Sequence, residues 1–219
     1  MAQDKSISIG RLILVPAVIT LGVTLLRLVG ELRGWPTLLF NPQPGGGGGL
    51  VGIVWLVPAF GIYFALKLAT AGERPQSFAK VAGIFVAALL VMAGGIGLIL
   101  ASQFRNNSLI VGGHALIIVA MLIPLWGWRE LTKVLLAYAY LARFPVALIN
   151  FLSLRGSWGT HYDGVPPGFP EMTFWAKYLV IGFLPQMTLW IAFTVMVGSL
   201  FGIAAVAIFR SKETAVATT

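Results

Sequence analysis

Long apolar stretches recur along this chain. Residues 9–29, 50–70, 78–102, 109–125 and 184–208 carry charge only near their ends, if at all. Each is close to the ~20 residues that a helix needs to cross a hydrocarbon layer of ~30 Å. In such a solvent every backbone N–H and C=O must be satisfied within the segment, so repeated stretches of this length are read as helices. The expected fold is all-α: a polytopic integral membrane bundle forming one transmembrane helical domain over residues 1–219.

Composition agrees with that solvent. Charged residues make up 10% of the chain and hydrophobic ones 58%, with a mean hydropathy of +0.90, whereas soluble domains carry about 25% charged residues. The net charge of +8 comes from 15 Lys and Arg scattered singly at segment ends. Nucleic acid is therefore not an expected partner, because binding it calls for a basic stripe or run. Cations at segment ends suit topology and contact with anionic headgroups, so the expected partner is the lipid bilayer. Cysteine is absent, which excludes disulfides, thiolate metal sites and cysteine nucleophiles. The N-terminus has the charged-then-apolar order of a signal peptide, but no small-x-small cleavage site follows, and a retained first span is expected.

Two segments leave the number of crossings open. Residues 131–154 are long enough to span, which gives six crossings. Yet Arg129, Lys133, Tyr140 and Arg143 share one face of a helical wheel, within about 80° of each other, opposite an apolar face. A helix of that kind also suits the membrane interface, which would leave five crossings plus an amphipathic surface helix. The apolar stretch 174–209 is too long for one crossing at ~1.5 Å per residue. A break at residues 182–186, "GFLPQ", divides it into an interfacial lead-in at 171–182 and a span at 184–208. The run of five glycines at 45–49 reads as a flexible tether rather than a phosphate-binding loop, since no Lys-Ser or Lys-Thr follows it.

With six crossings, Lys5, Arg11, Lys67, Arg74, Lys80, Arg129, Lys133, Arg210 and Lys212 share the side of both termini. Arg27, Arg33, Arg105, Arg155 and Lys177 take the other side. The positive-inside bias then puts the N- and C-termini in the cytoplasm and the loop at 155–173 outside. With five crossings the loop moves to the cytoplasmic side.

Polar groups with chemical capacity are few. The loop "SWGTHYDG" at 157–164 holds His161 and Asp163 two apart, so that in an extended segment both face the same way. The pair suits a general base with an orienting carboxylate, or a hydrogen-bonded turn at the interface, with Glu171 as the other acid of the loop. One His-x-Asp supplies too few ligands for a closed metal site, and neither a metal nor a cofactor is expected. His114 lies inside the fourth span behind two glycines and must find a partner there. Arg143, at membrane depth if its segment crosses, must face the bundle and meet an acid, a carbonyl, an anionic solute or a lipid phosphate. Small residues form ladders at four-residue spacing: Ala79, Gly83 and Ala87; Ala93, Gly97 and Ala101; Thr194, Gly198 and Gly202. Such faces admit close helix approach.

Three functions fit these residues. Association as a homo-oligomer or a subunit of a membrane complex follows from the small-residue faces. Transport of a small solute or a lipid follows from Arg143 and His114 as lining residues. Interfacial catalysis would use His161 with Asp163. The shortage of catalytic groups and of acids at span centres favours the first.

Overall fold

Helix boundaries follow local capping chemistry. The structure, a computed structural model, describes residues 8–46, 49–75 and 77–217. Helix α1 (Ile9–Leu32) continues through Pro16. Helix α2 (Leu56–Thr70) follows a short 3₁₀ turn. Ser77 caps α3 (Phe78–Ala101) by accepting from the Lys80 N–H, and Asn106 caps α4 (Asn107–Leu122) by accepting from the Leu109 N–H, each satisfying one of the orphan donors of a first turn. Helix α5 (Arg129–Gly156) ends where Ser157 turns left-handed, at φ 50°. Lys5, Gly47 and Gly48, which entered the topology and tether readings, lie outside the described residues. On either side of those glycines the chain is held, with Leu50 and Val51 donating to the carbonyls of Leu38 and Leu39.

Six segments are helical, long and apolar enough to cross a membrane, and the described residues form no strand. Helix α5 is at the centre, packed on α1, α2 and the last helix. Of the polar face that suggested a surface-lying helix, only Arg143 is turned inward, at 4% exposed, while Arg129 and Tyr140 are exposed and Lys133 is half-buried. Arg129–Gly156 is one of the six helices long and apolar enough to cross.

The last stretch also departs from expectation. Helix α6 (Phe174–Lys177) runs directly into a π-helical stretch, Tyr178–Phe183, and on into α7 (Leu184–Met187). Thr188, at φ −127° and ψ −70°, interrupts the helix before α8 (Leu189–Ala217) begins. The division expected at 182–186 is thus spread over a widened turn and a break two residues beyond. Residues 174–187 precede that break as continuous helix, and 174–209 together are long and apolar enough to cross a membrane.

Small residues set the closest crossings. A side chain on Gly61 would run into the backbone of Gly198, and one on Gly202 would come 2.8 Å from the Gly61 carbonyl, so α2 and α8 touch backbone to backbone. The α3–α4 pair closes in the same way at Gly95 and Gly113, each facing the other's carbonyl. Gly83 and Gly97 face outward with nothing within 4 Å, as do the exposed alanines of their ladders. Phe60, Phe64 and Tyr138 pack together in the interior, with ring centroids 5.4–6.3 Å apart. Thr20 donates to the Pro16 carbonyl, so the Tyr138 hydroxyl 2.7 Å away donates to Thr20.

Candidate functional site

A partly open cavity of about 290 Å³ lies between α1, α5, the π-helical stretch and α7. His161, Tyr162, Gly164 and Pro166 of the loop, with Gly45 and Gly52, complete its lining. Its walls mix Val23, Ile53, Val54, Val146, Val180, Ile181 and Trp190 with Thr24, Arg27, Arg143, Asn150, His161 and Gln186. The extra residue per turn of the π-helical stretch and the break at Thr188 bring Val180, Ile181, Pro185 and Gln186 onto one wall. Such bulges are frequent at functional sites.

The mouth is built from the last turn of α1 and the loop. Arg27 Nε donates to Glu31 Oε1 at 2.8 Å, one helical turn away. Asp163 knots the loop: its carboxylate accepts from Ser153 Oγ (2.6 Å), Thr160 Oγ1 (2.7 Å) and the N–H groups of Gly159 (2.8 Å) and Thr160 (2.7 Å). Burial works against this carboxylate, but the four donors outweigh it and hold its pKa below the usual range. Loop closure seats His161 on Glu31, with the backbone N–H donating to Oε2 at 2.9 Å and Nδ1 lying 2.6 and 2.8 Å from the two oxygens. The carboxylate that orients His161 is therefore Glu31 and not Asp163, whose oxygens are taken by the loop. Nδ1–H donates, and the ring lines the cavity. Burial lowers the His161 pKa by more than Glu31 raises it, so the imidazole is neutral at pH 7. The neighbouring Tyr162 phenol is buried, which raises its pKa above its ordinary value, and donates to the Thr24 carbonyl.

The floor is Arg143. Its Nη1 donates weakly to Gln186 Oε1 at 3.4 Å, and the guanidinium lies 4.7 Å from the Trp190 ring centroid. Its Nη2 is buried with no hydrogen-bond partner, and so is Asn150 Oδ1, two turns along the same face of α5. Among the described residues no carboxylate lies against this cation. Arg143 lines the cavity, and a buried guanidinium with an unpartnered N–H has a charge-assisted hydrogen bond to give to an oxyanion.

The other residues singled out in the sequence lie elsewhere. His114 is not among those lining the cavity. It is 5% exposed and its Nδ1 is 2.7 Å from Thr188 Oγ1. Thr188 itself donates to the Leu184 carbonyl, so His114 donates from Nδ1 and pins the break between α7 and α8. Glu171 is exposed and lines no part of the cavity. Gly198 and Gly202 serve the α2–α8 crossing, while Gly83 and Gly97 sit on the outer face of α3. No three His, Cys, Asp or Glu side chains gather as a metal cluster among the described residues.

Glu31, Asn150, Gln186 and Trp190 are the site residues that the sequence did not single out. For Glu31 a signal existed, because an acid in the last turn of a helix opposes the helix dipole unless something else holds it. Compared with known proteins, the chain matches no protein family, no curated protein and no solved structure.

Proposed function

We propose that this chain is a multi-pass membrane protein that binds and moves a small anionic solute or a lipid through the cavity between α1, α5 and α7. The observation that carries the reading is Arg143: a cation in the cavity lining, 4% exposed, with no acid against it among the described residues and with Nη2 buried and unpartnered. A buried, uncompensated charge is costly, and in a membrane protein an ionisable group of this kind marks a substrate or ion pathway by default. Membrane insertion is supported by the outer surface, where Leu14, Val15, Leu90, Leu100, Val111 and Phe144 are each more than half exposed. The cation bias favours cytoplasmic termini, and the cavity then opens toward the opposite face. Discontinuous helices beside the binding site are common in secondary transporters.

Flux of anionic solutes and scrambling of labelled anionic lipids in liposomes test the reading. Arg143→Gln should lose at least about tenfold in rate while keeping its helical content. Equal rates in the two proteins would overturn it.

Association is a second proposal, favoured by one observation. Helix α3 is the least buried span, at 11%, and presents Gly83 and Gly97 outward with room beside them. Native mass spectrometry in mild detergent tests it: Gly83→Leu with Gly97→Leu should release monomers from any oligomer or complex.

A further inference from the structure

The charges around the cavity restrict what can sit there. Arg27 is met by Glu31, 2.8 Å away, and Glu31 is also bound by His161. Asp163 directs its carboxylate to four donors within the loop and the end of α5 and does not line the cavity. The remaining titratable groups near Arg143 are Tyr138 from its own helix and Tyr162 from the loop, both phenols. The cavity therefore holds one uncompensated positive charge, that of Arg143, as long as His161 is neutral. Besides these charges its walls carry the uncharged polar groups of Thr24, Asn150 and Gln186 and the apolar Val23, Val146, Val180, Ile181 and Trp190.

We infer that the group seated on Arg143 is a monoanionic oxyanion carrying an apolar body, a carboxylate or a phosphodiester, rather than a neutral solute or a dianionic phosphate monoester. The inference rests on reading the cavity as a binding site and narrows what it takes. A neutral head leaves the cation uncompensated, and a dianion brings a second charge out of water with no partner for it. The Arg143 guanidinium, which lines the cavity and has hydrogen-bonding capacity unused, is the donor to the oxyanion, and the Gln186 amide lies next to it. The depressed pKa of His161 keeps the balance at one positive charge through neutral pH.

The test uses the full chain in nanodiscs with four probes of equal chain length: octanoate, methyl octyl phosphate, octanamide and octyl phosphate. Measurement at pH 8 keeps octyl phosphate a dianion, given a second phosphate pKa of about 6, and empty nanodiscs give the background partitioning. Octanoate or methyl octyl phosphate should bind at least about tenfold more tightly than octanamide and octyl phosphate. Arg143→Gln should abolish the preference and Arg143→Lys should retain most of it. If Arg143→Gln does not fold, the wild-type series decides alone. A carboxylate preference identifies a free amphiphilic acid as the source, and a phosphodiester preference a lipid headgroup. Octyl phosphate binding as tightly as the monoanions overturns the inference and leaves the binding site standing. Octanamide binding equally well overturns the anion requirement, and no binding by any probe overturns both the inference and the reading beneath it.

Discussion

Arg27 at the mouth and Arg143 at the floor of one cavity are buried alike, 9% and 4% exposed, but their charges are handled differently. At the mouth, Glu31 compensates Arg27 and is itself held by two donors of His161, in a loop that Asp163 ties shut. On the floor, a guanidinium and an amide oxygen are left with unused hydrogen-bonding capacity. Within a single cavity one network satisfies its own members and the other leaves polar atoms unpartnered. Burial alone does not distinguish a site from a scaffold, whereas the account of charges and hydrogen bonds does.

The widest separation between the two regions should come from stability measured by unfolding in detergent. Glu31→Ala leaves Arg27 buried without its carboxylate and should cost about 3–5 kcal/mol. Arg143→Met removes a charge that has no carboxylate partner and keeps an apolar stem, so its stability should equal or exceed that of the wild type. A loss with Arg143→Met as large as with Glu31→Ala would make Arg143 part of the scaffold and end the comparison.

A smaller effect is expected from Asp163→Asn. The amide cannot accept all four hydrogen bonds, and about 1–3 kcal/mol should be lost, accompanied by faster amide exchange at Gly159 and Thr160. At the floor, Asn150→Leu removes an acceptor that has no partner and should change stability by less than about 1 kcal/mol.

Acid should act on the mouth alone. His161 has a folded pKa below the ordinary value of about 6.5 because it is buried. The native state therefore resists a proton that the unfolded chain accepts, and this contribution is present above about pH 6.5 and lost as pH falls through the folded value. Asp163, also depressed, adds a second loss that begins near its unfolded value of about 3.9. His161→Gln should abolish the first loss and leave the second in place. An unfolding profile that stays flat from pH 7 to about pH 5 in the wild type would contradict the assignment of a buried neutral imidazole.

Much of the fold was legible because length and apolar content carry it. Residues 78–102 and 109–125 lead almost directly to α3 and α4. Residues 131–154 were ambiguous for a physical reason: the polar stripe mixes exposed residues, Arg129 and Tyr140, with the buried Arg143, and periodicity does not separate them. The small-residue ladders indicated that helices can come close but not which neighbour would come, and the tightest α3–α4 contact, Gly95 on Gly113, lies off the ladders. In the site, His161 and Arg143 stood out by chemistry, but the partner of His161 lies 130 residues away on α1. Spacing misassigned that role to Asp163 because the loop is not extended. Gly159, at φ 71°, turns the chain so that Asp163 faces the loop's own donors while His161 faces α1. Asn150 and Gln186 carry no charge and gave no signal until the helices were packed.

The most direct test of the account is native mass spectrometry of the protein purified from its own membrane in mild detergent, beside Arg143→Lys and Arg143→Gln. If Arg143 is the anchor of a bound anion, the wild type and Arg143→Lys carry an anionic small molecule or lipid that survives purification, and folded Arg143→Gln lacks it. Bare protein in all three, or the same bound mass in all three, would contradict the central claim.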